Sequence, residues 1–501
     1  MRTASRRRAR QAGPLRGSPD RLLASLLLGL CLYGGLAAAP QPAGAHALIA
    51  REDLPIPEWL FAWGASVVLI VSFVALTLAW RRPRLDRDGW RPVAAGISGA
   101  VVNRATAGLA GATGALLLGI VVWSGLFGTE SPDRNFAVTF VFVTAWLGLV
   151  VASVLLGDVF RALNPWRAIA RTFAAAFRGI AGQSPPALPY PERLGRWPAV
   201  AGIVAFAWFE LVYGQSGFQA VGLTPESVAL ATLIYSAWTF LGMSLFGIDV
   251  WLDRGEAFSV YFGMFARLAP LEARDGRLGV RRPLAGATAW AAVRGSLAMV
   301  LVAIGVTAYD GAQEGALQGP IEDVFGWLTD TGLGPVASLR LTNSAFMALA
   351  LGVVTGLYWG GVAGMHTVRG APATRRLGTL FAHSFIPIAL AYLAAHYFSL
   401  LVFQEQAQFT YLLSDPLGED SNLFGTAGTG IDYGVLGAEA IWYVQVGCLV
   451  AGHVAALAIG HDRALTVFGD VRAAARSQYW MLALMVGFTS LGMFLLSQAN
   501  A

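Results

Sequence analysis

Residues 381–406 read FAHSFIPIALAYLAAHYFSLLVFQEQ, and residues 441–463 read IWYVQVGCLVAGHVAALAIGHDR. Each stretch contains an apolar run of about 20 residues, the length that an α-helix needs to cross the hydrocarbon core of a bilayer. His383, His396 and His453 fall within these runs. Because an ionisable side chain at membrane depth is costly, each of these histidines is a candidate functional residue.

The composition places the whole chain among membrane proteins. Its 501 residues are 56% hydrophobic and 13% charged, and the mean hydropathy is +0.57. Soluble domains carry about 25% charged residues, so an ordinary soluble enzyme is excluded. The net charge of +5 gives no indication of nucleic-acid binding, because the arginines follow membrane topology. The predicted partner is the lipid bilayer.

The N-terminus predicts a cleaved signal peptide over residues 1–45. Residues 1–21 hold seven arginines, residues 22–39 are apolar, and Ala43-Gly44-Ala45 forms an A-x-A cleavage site. Residues 46–501 then form a single membrane domain. Cleavage after Ala45 would make His46 the N-terminal residue, whose amine and imidazole suit copper. Cleavage after Ala47 would remove that histidine, and both alternatives remain open.

The apolar runs predict an all-α polytopic bundle of about ten transmembrane helices. Arginines concentrate in every second loop and carboxylates in the others, a bias that predicts a multi-pass protein of the bacterial cytoplasmic membrane with its N-terminus outside. The predicted spans are 58–80, 105–127, 136–157, 198–214, 227–247, 288–308, 343–364, 378–403, 439–459 and 478–497.

Two of the inward loops resemble each other. Gly157-Asp158-Val159-Phe160 is similar to Ile248-Asp249-Val250-Trp251, and amphipathic stretches follow near 161–178 and 256–267. One explanation is a duplicated pair of spans, as in transporters with parallel repeats. The other is a pair of amphipathic helices lying on the inner leaflet.

Depth along the predicted helices separates the candidate residues into two sites. With a rise of 1.5 Å per residue, His383 and His453 should lie at about the same height in the inner half, with Cys448 nearby. His396 should lie in the outer third, with Tyr397, Gln404 and Glu405 nearby, and Glu210 of the fourth span is a further candidate for this site.

Three interpretations of these residues remain open. His383, His396 and His453 are candidate ligands of a divalent metal or a haem, since imidazole is the commonest nitrogen ligand. Alternatively, Glu210, Glu405, Cys448 and the histidines mark a path for protons or a substrate. The third interpretation is that the histidines form hydrogen bonds that hold helices together. No H-E-x-x-H, C-x-x-C or G-x-S-x-G motif assigns a catalytic residue.

Five segments resemble a family of actinobacterial integral membrane proteins that carry the label fenitrothion hydrolase: HALIAREDLPIPEWLFAWGA, GDVFRALNPWRAIAR, AHYFSLLVFQEQ, NLFGTAG and IWYVQVGCLVAGHVAALAIGHDRA. The resemblance implies a membrane-embedded phosphotriester hydrolase, and it allows for a second membrane subunit. Such hydrolysis normally needs a metal-activated hydroxide. The sequence therefore predicts a metal-dependent membrane hydrolase. The alternatives are a permease for a small-molecule substrate and a metal- or haem-binding membrane subunit.

Overall fold

The computed structural model of the protein describes residues 58–85, 89–183, 186–217 and 220–499. The predicted signal peptide over residues 1–45 and the candidate copper ligand His46 lie outside the described residues. Both therefore stay predictions.

Each of the ten predicted spans overlaps one or more helices. The helices in chain order are α1 (Glu58–Ala79), α2 (Ala95–Val101), α3 (Arg104–Phe127), α4 (Phe136–Thr139), α5 (Leu149–Leu156), α6 (Val159–Leu163), α7 (Pro165–Ala181), α8 (Trp197–Trp208), α9 (Pro225–Phe246), α10 (Ile248–Arg254), α11 (Ala257–Phe265), α12 (Ala285–Thr288), α13 (Ser296–Gln313), α14 (Gln318–Asp330), α15 (Pro335–His366), α16 (Thr374–Phe381), α17 (Ile386–His396), α18 (Phe398–Ala407), α19 (Ala438–Phe468) and α20 (Val471–Ala499).

Irregular helical turns join or extend several of these elements. A π-helical stretch, Phe140–Gly148, joins α4 to α5, and two others, Phe209–Tyr213 and Gln408–Leu412, extend α8 and α18. A 3₁₀ turn, Ala266–Leu268, extends α11, and another, Ala382–Phe385, joins α16 to α17. Such π-helical stretches often occur at functional sites.

Seven of the helical segments are long and apolar enough to cross a membrane. The protein is therefore an all-α, multi-pass membrane bundle, as predicted. Among the described residues, the helices at the first, fourth and tenth predicted spans fall outside these seven. The seven segments are Ala95–Phe127, Phe136–Leu156, Pro225–Phe246, Ser296–Gln313, Pro335–His366, Thr374–His396 and Ala438–Phe468.

The two ends of the bundle differ in charge, and we name them accordingly. The arginine-rich end comprises the segments between α1 and α3, between α5 and α8, between α9 and α13, between α15 and α16 and between α19 and α20, which contain most of the basic side chains that the structure describes. The acidic end comprises the loops that follow α3, α8, α13 and α18. Which end faces the cytoplasm stays a prediction.

A small antiparallel sheet lies at the arginine-rich end. Strands β4 (Leu271–Arg274) and β5 (Arg277–Val280) form a hairpin, and β1 (Arg91–Pro92) pairs with the other edge of β5. The hairpin turns at Asp275 and Gly276, whose φ angles of 48° and 74° are typical of a type I′ turn. A second, two-residue pairing joins β2 (Ser216–Gly217) to β3 (Ala220–Val221).

Helix α13 lies at the centre of the bundle. Every residue from Met299 to Ala312 is buried, so this helix is enclosed by protein on all sides over most of its length. A Cβ atom on Gly305 would lie only 2.7 Å from Leu351 Cδ2, so glycine allows α15 to pack closely here. A polar side chain on α13 is therefore held in the protein interior.

The two similar segments at the arginine-rich end contact each other. Asn164 is the N-cap of α7 and Glu256 is the N-cap of α11, and the Asn164 amide donates to the Glu256 carboxylate at 3.0 Å. The rings of Trp166 and Phe258, each two residues further along, stack with an interplanar angle of 9°. Because equivalent positions meet each other, the contact supports the interpretation of a duplicated pair of spans.

The two amphipathic stretches differ in their surroundings. Helix α7 exposes Phe173, Phe177 and Ile180, as expected of a helix lying on a membrane surface. The stretch near 256–267 is instead largely buried, with Tyr261, Met264 and Phe265 fully enclosed. The prediction of a second surface helix there is therefore wrong, because the apolar residues of α11 pack into the bundle core.

We expect Glu256 to be important for stability. Its fully buried carboxylate accepts hydrogen bonds from Asn164, from the Tyr235 hydroxyl and from the backbone of Phe258 and Ser259. Burial raises the pKa of Glu256, and the hydrogen bonds from Ser259, Tyr235 and Phe258 oppose this shift.

Glu256→Ala should lower the free energy of unfolding by about 3 kcal/mol, because four donors lose their acceptor. Glu256→Gln keeps one acceptor oxygen and should cost less. Equilibrium unfolding in detergent measures both changes, with Glu226→Ala on the exposed start of α9 as the control. Equal effects of Glu256→Ala and the control would contradict this role.

A buried His-Asp pair fixes the chain that leaves α1. The Asp462 carboxylate accepts hydrogen bonds from Trp80 Nε1 at 2.9 Å, from Arg84 N at 2.5 Å and from Leu85 N at 3.1 Å. His461 Nε2 lies 2.9 Å from the Trp80 carbonyl oxygen, and both His461 and Asp462 are fully buried. Gln478 Nε2 lies 3.1 Å from His461 Nδ1. We interpret this pair as structural, because its partners are backbone groups, an indole and a side-chain amide.

Candidate functional site

A buried carboxylate lies on α13 near the acidic end of the bundle. Asp310 lies one turn from the end of this helix, and its side chain is 11% exposed. A buried carboxylate needs hydrogen-bond donors or a counter-charge. Those partners come from the region where α17 ends and α18 begins.

His396 and Tyr397 both contact the same oxygen of Asp310. His396 Nε2 lies 2.9 Å from Asp310 Oδ2, and the Tyr397 hydroxyl donates to Oδ2 at 2.5 Å. Consecutive residues of a regular helix point about 100° apart. Here Tyr397 separates α17 from α18 with φ −97° and ψ 12°, and this break lets both side chains reach one carboxylate.

The other oxygen of Asp310 continues the network toward the acidic end. Gln313 Nε2 donates to Asp310 Oδ1 at 2.8 Å, and Gln215 Nε2 donates to Gln313 Oε1 at 3.4 Å. Gln215 follows the π-helical stretch Phe209–Tyr213. We name Asp310, His396, Tyr397 and Gln313 the carboxylate cluster.

Glu210 is a second acidic group beside this cluster. It belongs to the π-helical stretch Phe209–Tyr213 and interacts electrostatically with Asp310 and Tyr397. Its carboxyl group accepts no hydrogen bond from the part of the chain that the structure describes. Glu210 thus lies near Asp310 and Tyr397, and its predicted association with His396 stays a prediction.

Glu405 and Cys448 lie outside the carboxylate cluster. The Glu405 carboxylate accepts a hydrogen bond from Thr144 at 3.1 Å, in the π-helical stretch Phe140–Gly148. It is nine residues beyond His396, which corresponds to about 13 Å along a helix. Cys448 is a partly buried free thiol on α19.

The structure does not bring His383 and His453 to the same height. The backbone of Gly460 faces Ser384, next to His383, whereas Gly452, next to His453, faces Pro387. Eight residues of α19 separate these two levels, which corresponds to about 12 Å. The predicted pairing is wrong because the count down from the start of α19 assumed a span of about 20 residues, whereas this helix has 31 residues and ends at Phe468.

His383 and His453 are both buried, and each has a ring nitrogen without a hydrogen-bond partner among the described residues. His453 Nδ1 lies 2.7 Å from the Leu449 carbonyl oxygen, so Nδ1 donates. The Nε2 atoms of His383 and His453 have no hydrogen-bond partner among the described residues. The three histidines thus lie at successive levels: His396 near the acidic end, His453 beside Tyr392, and His383 near the arginine-rich end.

The predicted metal site of three histidines is not supported, whereas a haem, which needs only one or two axial ligands, stays a prediction. Within the described ranges, no group of three or more His, Cys, Asp or Glu side chains could hold a metal ion. His396 is paired with Asp310, and His383 and His453 lie at other levels. These residues do not fit a common metal centre, so we derive no chemistry from one.

The residue that sequence reasoning missed is Asp310. The sequence pattern assigned it to a loop, because the sixth span was predicted over 288–308, whereas α13 covers Ser296–Gln313. Gly295, with a left-handed φ of 85°, directly precedes this helix and was an available signal for the later start. Comparison with family models, with curated proteins and with solved structures gives no match.

Proposed function

We propose that this protein is a proton-translocating membrane permease in which the carboxylate cluster takes up and releases the proton. The observation that supports this most strongly is the contact of one buried carboxylate oxygen, Asp310 Oδ2, with both an imidazole and a phenol. Ionisable groups enclosed at membrane depth in a helical bundle are typical of proton relays and ion pathways.

The chemistry of the cluster suits reversible proton transfer. When Asp310 is ionised, the His396 Nε2–H group points toward it. The pair then carries a net charge of −1 if His396 Nδ1 is unprotonated, and it is an ion pair without net charge if Nδ1 is protonated. Imidazole changes charge near neutral pH, and it is therefore the side chain best suited to exchange protons there. Gln313 and Gln215 extend the hydrogen bonds toward the acidic end.

The positions of the other histidines support a path rather than an isolated site. His453 and His383 continue from His396 in two further steps toward the arginine-rich end. Each has a buried ring nitrogen with no partner among the described residues. Such a nitrogen can accept a proton from water or from a solute that enters the bundle.

Reconstitution tests this proposal. Purified protein in liposomes that contain a pH-sensitive dye should dissipate an imposed pH gradient faster than protein-free liposomes. Valinomycin and potassium should hold the membrane potential constant, so that proton entry alone is measured. Equal rates with and without protein would contradict the proposal.

The hydrolase function stays an expectation from the family resemblance. Asp310 orients the His396 ring as a carboxylate orients a general base, but no observation among the described residues supplies a metal-activated hydroxide. Release of a nitrophenol from an aryl phosphotriester by the purified protein would favour that alternative.

A further inference from the structure

A large cavity lies in the membrane-embedded part of the bundle, apart from the carboxylate cluster. Its volume is about 750 Å³, and its walls are formed by α3, α8, α9, α11 and the π-helical stretch Phe140–Gly148. Cavities of about 300–1,000 Å³ are the usual size of small-molecule sites. We name it the aromatic cavity, because twelve of its lining residues are Phe, Trp or Tyr.

The chemistry of the walls restricts what the aromatic cavity can bind. None of the described residues that line it is charged. Three hydroxyl groups reach it, and each already donates elsewhere: Thr144 to Glu405, Thr232 to the Val228 carbonyl and Tyr235 to Glu256. A charged ligand would lose its hydration without gaining a counter-charge, so the site favours a neutral and largely apolar molecule.

The arrangement of the rings favours an aromatic ligand. Phe142 and Phe206 stack with centroids 5.5 Å apart, and Trp146 packs on Phe206 at 4.7 Å. These packed rings present faces and edges to the contents of the cavity. Aromatic rings interact favourably with such surfaces beyond the effect of buried area.

Access to the aromatic cavity is from the lipid side. Ile234 and Trp238 of α9 line the cavity and are 73% and 47% exposed on the outside of the bundle. A molecule dissolved in the bilayer can therefore pass between helices at α9 without crossing a polar surface. Ligands that partition into lipid need no aqueous vestibule.

One short segment connects the aromatic cavity with the carboxylate cluster. Phe209 lines the cavity, and the next residue, Glu210, interacts electrostatically with Asp310 and Tyr397. Both belong to the π-helical stretch Phe209–Tyr213. A ligand that displaces Phe209 would move Glu210 relative to the cluster.

We propose that the aromatic cavity binds a neutral aromatic molecule taken from the bilayer. The proposal that this cavity binds a ligand does not depend on the proposed function. Its identification as the substrate site of the permease does rest on the proposed function. In that role, occupancy acts on the carboxylate cluster through Phe209 and Glu210.

Photocrosslinking with benzophenone, a neutral aromatic probe, tests the site in liposomes. Crosslinking should saturate, should map by mass spectrometry to residues 136–156 and 225–246, and should be displaced by excess diphenylmethane. Ala145→Phe adds a ring inside the cavity and should reduce crosslinking at least fivefold. Ala75→Phe, on the exposed side of α1, is the matched control and should leave it unchanged.

Two further variants and a second probe distinguish the possible outcomes. Ala201→Phe fills the opposite wall and replaces Ala145→Phe if that variant does not fold. Asp310→Asn should keep the crosslinking even if it abolishes proton flux, so failure of the permease and failure of the site are distinguishable. Crosslinking that does not saturate, or that both filled variants retain, would overturn the proposal. Cavity labelling by a phosphatidylcholine with a diazirine on its acyl chain, not displaced by diphenylmethane, would show that a lipid tail occupies the site and would also overturn it.

Discussion

Asp310→Asn is expected to slow proton entry into proteoliposomes at least tenfold, a change of about 1.4 kcal/mol or more in the activation barrier. The amide has nearly the same shape as the carboxylate and can still accept hydrogen bonds from His396 and Tyr397. It cannot ionise, so the proton-accepting group of the carboxylate cluster is lost. The initial rate of dye acidification after a pH jump measures the effect.

Asp323→Asn is the matched control for this prediction. Asp323 is exposed on α14, at the same end of the bundle, and the substitution removes the same charge. Its rate should equal that of the wild-type protein. Asp310→Asn protein that is monodisperse and transports protons at the wild-type rate would be inconsistent with a role of this carboxylate in transfer.

Asp462→Ala should produce the largest loss of stability, about 3 kcal/mol or more in the free energy of unfolding. Asp462 is fully buried, and its removal would leave Trp80 Nε1 and the amides of Arg84 and Leu85 without their acceptor. Each unsatisfied buried donor costs about 1–3 kcal/mol, part of which local water would relieve. Equilibrium unfolding in detergent measures the total.

The local consequence distinguishes this effect from general destabilisation. Hydrogen exchange at residues 80–85 should accelerate in Asp462→Ala, because the end of α1 loses its attachment to α19. Asp462→Asn retains one acceptor oxygen and should give an intermediate result. Glu439→Ala, at the exposed start of the same helix, is the control. Unchanged exchange at residues 80–85 would argue against the attachment.

The membrane class and the positions of the helices followed from hydrophobicity alone. Apolar runs separated by alternately basic and acidic loops leave few alternatives to a helical bundle, because the backbone must form its hydrogen bonds internally. The boundaries were less predictable. Residues 288–295 are mostly apolar and resemble the start of a span, yet α13 begins only after Gly295.

That boundary determined how much of the site was predictable. His396 and Glu210 were identified because ionisable residues within apolar runs are conspicuous. Asp310 was not identified, because the predicted span ended at residue 308. The helix starts and ends later than predicted, so it includes Asp310, which hydrophobicity assigns to a loop. The break at Tyr397 was also hidden, since residues 393–403 are almost uniformly apolar and contain no proline or glycine.

The relative heights of side chains on different helices could not be predicted from the sequence. His383 and His453 were placed at one level by counting from the ends of apolar runs, but α19 has 31 residues and extends well past its run. The packing of Gly452 against Pro387 and Ala391, which sets the offset between these helices, depends on tertiary contacts. The hairpin at Asp275-Gly276, in contrast, could have been predicted, because an Asp-Gly pair is typical of a two-residue hairpin turn.

A double-mutant cycle on proton entry tests most directly whether Asp310 and His396 transfer the proton as one unit. The rates of wild-type, Asp310→Asn, His396→Gln and doubly substituted protein are measured in the same liposomes. If the two residues act together, each single change should remove most of the flux, and the double variant should be no slower than the slower single variant. Effects that multiply, or proton entry that survives both substitutions, would contradict the account.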